Sequence, residues 1–194
     1  MKKSIAIFAS GSGSNAENII RYFNDSSLLG IELVLSNKCN APVLGRAQRL
    51  EVPFAVFPKA EWESGYEILA LLATYHIDFI VLAGFLLRIP EPLLHAYPNK
   101  IINIHPSLLP KFGGKGMYGG KVHEAVVASG EKESGITIHY VNEHYDEGGI
   151  VFQTTCAVLP DDTAADVAEK VHALEYMHYP RIIEKVVGSS GNIG

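Results

Sequence analysis

SIAIFASGSGSNAENIIRYF, residues 4–23, decides the fold class. Ser4 to Ala9 is β-rich and almost wholly apolar, the pattern of a strand buried on both faces of a parallel sheet. Ser10 to Asn15 is a turn of glycine and serine. Beyond it, Ala16, Ile19, Ile20 and Phe23 recur at the spacing of a helix that buries one side. Strand, turn and helix open a βαβ unit, and residues 31–36, IELVLS, supply its second strand.

The alternation continues outward. Ala41 to Leu50 reads as a helix with Pro42 in its first turn, and Phe54 to Phe57 as a short strand closed by Pro58. Trp62 to Tyr75 is helical by periodicity. Asp78 to Leu82, DFIVL, reads as a central strand, and Glu91 to Ala96 as a short helix. Ile101 to Ile104 is a further apolar strand ending at His105-Pro106. Residues 106–120, with two prolines and five glycines, read as a long surface loop. A helix over Val122 to Ser129, an alternating stretch over Ile136 to Val141 and a strand over Ile150 to Val158 follow. Thr163 opens a long helix running to Lys185, with a bend before Pro180.

This order predicts an α/β protein: an open, mostly parallel, twisted sheet with helices on both faces. The 194 residues supply one sizeable core, and no repeat or linker divides them. Residues 1–187 form the expected domain and 188–194 a flexible tail. Such sheets bind ligands beyond the carboxyl ends of their strands. That rule directs attention to the loops at 10–15, 84–90 and 103–110.

Composition narrows the function. A chain 47% hydrophobic with ordinary glycine and proline is neither disordered nor fibrous. Its net charge of -5 counts against nucleic-acid or anionic-membrane partners, while leaving a small anionic ligand open to a locally positive pocket. Cys39 and Cys156 make neither a disulfide framework nor a metal spacing. The basic, apolar start gives way to GSGSN too early for a leader, and no stretch nears the roughly 20 apolar residues of a membrane span. A cytoplasmic location is expected.

Three segments carry chemistry-bearing residues. In Gly11-Ser12-Gly13-Ser14-Asn15 the glycines allow a tight turn and the following helix presents free N–H groups, which suits a phosphate. Ser14 or Asn15 would serve equally as a helix cap. Alanine at position 16 breaks the dinucleotide fingerprint, and no Gly-Lys-Ser/Thr follows. In Asn103-Ile104-His105-Pro106-Ser107-Leu108-Leu109-Pro110, residues 103 and 105 share a strand face, so an amide and an imidazole stand together at a strand end. A histidine satisfied by a backbone carbonyl, with asparagine capping the turn, is the alternative. Asp146-Glu147-Gly148-Gly149 is either a plain turn or a source of a carboxylate that raises the pKa of His105 and orients its ring. His139, His144, His172 and His178 lack a metal-binding spacing, so no metal site is expected. No G-x-S-x-G elbow exists. Glu169 and Glu175 lie on the last helix, where most charged residues simply face water but one could meet a substrate amine. Phe8, Phe23, Phe79 and Phe85 read as core or pocket wall.

N-x-H-P-S-L-L-P at 103–110 resembles the folate-dependent formyltransferases. With GSGSN near the start and a length near 200, the chain is similar to their glycinamide ribonucleotide branch over residues 4 to about 186. The resemblance implies a Rossmann-like formyltransferase fold and a single activity: formyl transfer from 10-formyltetrahydrofolate, as co-substrate, to the amine of 5'-phosphoribosylglycinamide in de novo purine biosynthesis. It implies Asn103, His105 and Asp146 as the catalytic trio. Gly13, Ser14 and Asn15 hold the substrate phosphate, and Glu175 contacts the glycinamide. Leu86, Leu87, Arg88 and Ile89 wall the folate pocket, and Asn142, Glu143, His144, Tyr145 and Asp146 meet the pterin end. Lys111, Phe112 and the following glycines occupy a mobile loop. No metal, nucleic acid or membrane is implied, and the protein is a monomer or homodimer.

Departures accompany the likeness. The family often has Gly-Phe-Met-Arg-Ile-Leu where this chain has Gly84-Phe85-Leu86-Leu87-Arg88-Ile89, so the arginine is displaced by one position. Residues 111–116 are richer in glycine, and Lys59 alone stands near the place of a common arginine. Methionyl-tRNA formyltransferases carry a carboxyl-terminal domain and formyltetrahydrofolate deformylases an amino-terminal one, neither expected here, though the deformylase core is similar enough to keep hydrolysis as a minor alternative. The phosphate loop disfavours sugar-nucleotide formyltransferases. A non-catalytic nucleotide- or folate-binding protein is the rival of another class.

Overall fold

The computed structural model describes residues 2–189. Its elements are β1 (Lys3–Phe8), α1 (Ser14–Phe23), β2 (Leu29–Ser36), α2 (Pro42–Arg49), β3 (Phe54–Val56), α3 (Lys59–Ser64), α4 (Tyr66–Thr74), β4 (Phe79–Leu82), α5 (Glu91–Ala96), β5 (Ile101–His105), α6 (Gly120–Ala128), β6 (Glu133–Tyr140), β7 (Ile150–Ala157) and α7 (Ala164–Ser189). The seven strands form one sheet in the order β3-β2-β1-β4-β5-β6-β7. The first five are parallel to their neighbours, and β6 and β7 add antiparallel at one edge. The expected open, mostly parallel sheet is therefore present.

Strand parity sorts the core into two layers. Ile5 and Ile7 of β1 join α1, α2, α6 and α7 on one face. Ala6 and Phe8 join α3, α4 and α5 on the other. Trp62 of α3, 2% exposed, sits edge-on to Phe8 at 5.2 Å and against Phe85 at 4.5 Å. The chain winds one way from β1 to β2 and β3, and the other way to β4 and β5. The crevice of such a sheet therefore opens between the carboxyl ends of β1 and β4.

Three sequence expectations change. The single helix expected over Trp62 to Tyr75 is two helices, because Gly65 adopts φ +73, a left-handed conformation that ends α3 and starts α4. Its periodicity survived the break because Trp62, Ile68 and Leu72 still face one core. Alternation over 136–141 does not describe β6, where six consecutive residues, 134–139, are buried. Between β5 and β7, the polar positions of β6 are covered as well. The last helix runs past Lys185 to Ser189, with Pro180 buried inside it. Of the tail expected at 188–194, residues 188 and 189 are helical and 190–194 lie outside the described residues.

Thr163 and Asp166 close the start of α7 with a reciprocal box. The Thr163 N–H donates to Asp166 Oδ2 at 2.8 Å, and the Asp166 N–H to Thr163 Oγ1 at 3.3 Å. Further along, the fully buried Tyr179 donates its hydroxyl to the Leu82 carbonyl at 2.8 Å. That bond anchors α7 at the carboxyl end of β4. One turn earlier Glu175 faces the crevice, and three residues before it His172 does the same.

Candidate active site

A cavity of about 630 Å³ opens at the carboxyl ends of β1, β4 and β5. Gly11 to Asn15, Leu86, Asn103, His105, Asp146 and Glu175 line it together. The three loops expected to form a site therefore converge, and both later carboxylates join them.

The α1 turn is held open by packing. Gly13 precedes the helix at φ +72, and a Cβ there would lie 2.4 Å from Val43 Cγ2 and 2.7 Å from Val43 Cα. No side chain caps α1, so the cap role open to Ser14 or Asn15 is not taken. Its first N–H groups keep their donors and their positive partial charge. Ser10 ties this turn to the next loop: its N–H donates to the Gly84 carbonyl and its hydroxyl accepts from the Leu86 N–H at 2.9 Å.

The Asn103–Pro110 segment divides into chemistry and scaffold. Asn103 and His105 share the strand parity of Ile101, which packs against the α3–α5 layer. The rest of the segment is clamped by Thr137 on β6. Its hydroxyl donates to the Ser107 carbonyl at 2.7 Å and accepts from the Leu109 N–H and Gln153 Nε2. One donor and two lone pairs are all that a hydroxyl has, so Thr137 is fully used. The Leu109–Pro110 peptide is cis.

His105 is 3% exposed. Its Nε2–H donates to the Phe112 carbonyl at 2.7 Å, and Nδ1 faces Asp146 Oδ2 at 3.6 Å. A carbonyl only accepts, which places the proton on Nε2. Burial pulls the His105 pKa below the usual histidine range. The Asp146 charge and the Phe112 carbonyl oppose that shift without overcoming it. Asp146 therefore stands beside the ring as expected, but the expected raised pKa is absent, because desolvation is the larger effect.

Burial by itself would raise the Asp146 pKa. The adjoining His139 and His105 rings and the Gly114 N–H, 2.9 Å from Oδ2, outweigh it and hold the carboxyl below its usual range. Asp146 also sits at φ +59, a conformation uncommon for a residue with a Cβ, in the loop between β6 and β7.

His139 lies between the two halves of the site. It pairs with Asn103 in the β5–β6 register, accepts from Asn103 Nδ2 at 3.1 Å, and sits 3.6 Å from Asp146 Oδ1. Its Nδ1–H donates to the Tyr140 carbonyl at 2.8 Å, which fixes the ring. His139 carries no local signal in the sequence, since its spacing from the other histidines suits no metal site. The useful signal is strand pairing, which puts 139 beside 103.

At the other end, Glu175 is buried and accepts both Asn15 Nδ2 at 2.9 Å and His172 Nδ1 at 2.8 Å through the same oxygen, Oε2. Glu169 is exposed. His123 of α6 lines the cavity, and its Nδ1 is buried with no hydrogen-bond partner. Neither His123 nor His172 stood out in the sequence.

A second cavity of about 1030 Å³ adjoins the first, with Tyr145 lining both. Leu87, Arg88, Ile89, Asn142 and Glu143 line it. Arg88 is exposed, and its carbonyl accepts from Trp62 Nε1 at 3.2 Å. His144 lines neither cavity; its Nε2 lies 3.8 Å from Glu143 Oε1. Among the described residues, no group of three or more His, Cys, Asp or Glu is placed to hold a metal ion, and no helix is long and apolar enough to cross a membrane.

Residues 3–183 match the sequence profile of the formyl transferase family. The chain belongs to the formyl transferase family. It is 37% identical over 191 residues to a phosphoribosylglycinamide formyltransferase of Bacillus subtilis, an alignment covering 96% of this chain and 95% of that one. It is 43% identical over 188 residues to the chloroplastic phosphoribosylglycinamide formyltransferase of Arabidopsis thaliana; that match covers 94% of this chain but spans 64% of the plant protein's length. Among solved formyl transferase structures, the phosphoribosylglycinamide formyltransferase of Anaplasma phagocytophilum superposes with a TM-score of 0.88 at 33% identity, over 97% of this chain and 89% of that one. The Bacillus halodurans enzyme gives 0.87 at 35% identity, over 98% of each chain. The fold is thus the formyl transferase fold expected from the sequence.

Proposed function

We propose that this chain transfers a formyl group from 10-formyltetrahydrofolate to the amine of 5'-phosphoribosylglycinamide, giving the N-formyl product and tetrahydrofolate in de novo purine biosynthesis. One observation carries this reading: Asn103, His105 and Asp146 meet in a cavity that also contains the uncapped start of α1 and the buried Glu175. The acceptor's phosphate lies at Gly13, Ser14 and Asn15, and its glycinamide end lies by Glu175. The folate lies in the larger cavity, against Leu87, Arg88, Ile89, Asn142, Glu143 and Tyr145, and reaches Leu86 and Asp146 in the first.

The acceptor amine attacks the formyl carbon, forming a C–N bond and leaving negative charge on the formyl oxygen. Asn103 Nδ2 has a second N–H beyond the one given to His139, and donates it to that oxygen. The formyl oxygen displaces the Phe112 carbonyl from His105 Nε2–H, which adds a second donor. Asp146, held as a carboxylate, takes the proton lost by the amine. The tetrahedral intermediate collapses as the bond to the folate nitrogen breaks, and that nitrogen takes up the proton that Asp146 accepted. This sequence uses no covalent enzyme intermediate and calls for no metal ion. Its partners are two small molecules, in keeping with a cytoplasmic protein of net charge -5 acting as a monomer or homodimer.

The test is release of tetrahydrofolate from 10-formyltetrahydrofolate with and without the acceptor. Acceptor-dependent release supports transfer. Equal release without acceptor would instead establish a hydrolase on the same scaffold, and binding of both ligands without release a non-catalytic protein.

A further inference from the structure

The Tyr140 carbonyl is shared by two parts of the site. It accepts the His139 Nδ1–H at 2.8 Å. Gly148 is packed against the same group: a Cβ at position 148 would lie 1.7 Å from the Tyr140 oxygen and 2.7 Å from its carbonyl carbon. Bonded contacts aside, atoms do not approach so closely, and only a hydrogen fits there. Neither Gly148 nor Gly149 has a left-handed φ. The demand at 148 is therefore for space and not for a special backbone angle. At Gly149 a Cβ would meet nothing nearer than Tyr140 Cδ2, at 4.0 Å.

The sheet pins the peptide that carries this carbonyl. The Val141 N–H of the same peptide donates to the Ile101 carbonyl at 3.0 Å, and the Tyr140 N–H donates to the Gly149 carbonyl at 2.9 Å. Beside it the β6–β7 ladder passes from the Ile138–Phe152 pair to the His139–Ile150 pair and leaves Val151 over, a bulge of the kind that re-aims side chains at a site. Asp146 stands two residues before Gly148, at φ +59. Its Oδ1 lies 3.6 Å from His139 Nε2 and its Oδ2 3.6 Å from His105 Nδ1. A side chain at 148 leaves two escapes. In one, the peptide between 140 and 141 turns, and the His139 Nδ1–H loses its acceptor. The proton is then free to move to Nε2, which can no longer accept from Asn103. In the other, the loop backs away from β6, and Asp146 leaves both imidazoles.

We infer that Gly148 is a positioning residue for formyl transfer: its bare Cα lets the Asp146 loop close onto the Tyr140 carbonyl, and that contact sets both Asp146 and, through His139, the Asn103 amide. This rests on the proposed reading of the cavity as the transfer site, and deepens it. Gly148 lines neither cavity, so it acts through Asp146 and Asn103, which do.

Transfer assays of Gly148→Ala and Gly149→Ala beside wild type test this. Gly148→Ala should lower kcat about a hundredfold, the scale of a small misplacement at a reacting centre, with KM for the acceptor nearly unchanged. Gly149→Ala should turn over like wild type. Added to Asp146→Asn, Gly148→Ala should cost far less than it does alone, because both changes disturb the same carboxylate. Wild-type kcat in folded Gly148→Ala, an equal loss in Gly149→Ala, or a loss that multiplies in full with that of Asp146→Asn overturns the role. A long-range proton–nitrogen correlation spectrum of the wild-type protein tests the contact without any variant. His139 should carry its proton on Nδ1 with Nε2 bare, and the reverse tautomer overturns the inference. A wild-type protein that shows this tautomer but no acceptor-dependent release of tetrahydrofolate overturns the reading of the site, and the role of Gly148 in transfer with it.

Discussion

Asn103 donates its side-chain N–H to His139 across 3.1 Å, from positions directly paired in the β5–β6 register. The Tyr140 carbonyl fixes the His139 tautomer, so the ring acts as an acceptor that sets the plane of the Asn103 amide. His139→Phe keeps the bulk and removes that acceptor. Turnover is expected to fall roughly tenfold, about 1.4 kcal/mol of barrier, with KM for either substrate nearly unchanged. A rise in KM with intact kcat, measured in steady state, would show that the ring serves binding instead.

Asn103→Ala removes the donor itself. Loss of one such donor costs on the order of 3 kcal/mol in the barrier, a hundredfold or more in kcat. Its hydrogen bond is worth only about 1 kcal/mol to folding. Urea unfolding beside steady-state kinetics separates the two, and a variant whose activity loss is matched by its stability loss contradicts the donor role.

Gly13→Ala tests the α1 turn. The added Cβ meets both the side chain and backbone of Val43, at a φ that alanine rarely adopts. A destabilisation of about 1–3 kcal/mol is expected, with weaker binding of the phosphorylated acceptor than of its riboside analogue. An unchanged melting temperature would mean that the turn relaxes freely.

Stability should respond to acid through the buried histidines. His105 and His123 have folded-state pKa values below the ordinary 6.5. As pH falls below about 6.5, the unfolded chain binds protons that the folded chain refuses, and stability drops. Asp146, whose folded pKa is depressed, adds a loss at lower pH, as the carboxyl protonates below its ordinary 3.8. His172 acts in the opposite sense: its raised pKa contributes stability that is full below 6.5 and lost as pH rises through the folded value. His123→Asn should therefore flatten the decline in urea midpoint between about pH 7 and pH 5. An equal decline in wild type and variant rules out His123 as a source.

Much of this was readable from the chain because local patterns and global fold agree. The apolar run at 4–9, the turn at 10–15 and the helical spacing through Phe23 describe β1, its loop and α1 closely. The ligand rule for parallel sheets brings residues 10–15, 84–90 and 103–110 to one place from the sequence alone. What escaped depends on long-range geometry. His139 becomes visible only when β6 is paired in register with β5, and His172 only when Tyr179 pins α7 to the end of β4. The protonation of His105 is not legible for the same reason: a neighbouring carboxylate can be named from sequence, but the burial that outweighs it belongs to the packed fold. The break at Gly65 escaped because the core-facing spacing continues through it.

The most direct test of the transfer mechanism is the turnover of Asp146→Asn with saturating 10-formyltetrahydrofolate and 5'-phosphoribosylglycinamide. Asparagine keeps the shape and an oxygen for the Gly114 N–H, but cannot take the amine's proton as a carboxylate does. A fall in kcat of about a hundredfold or more, the scale of general-base catalysis, is the predicted result; turnover near wild type would contradict it.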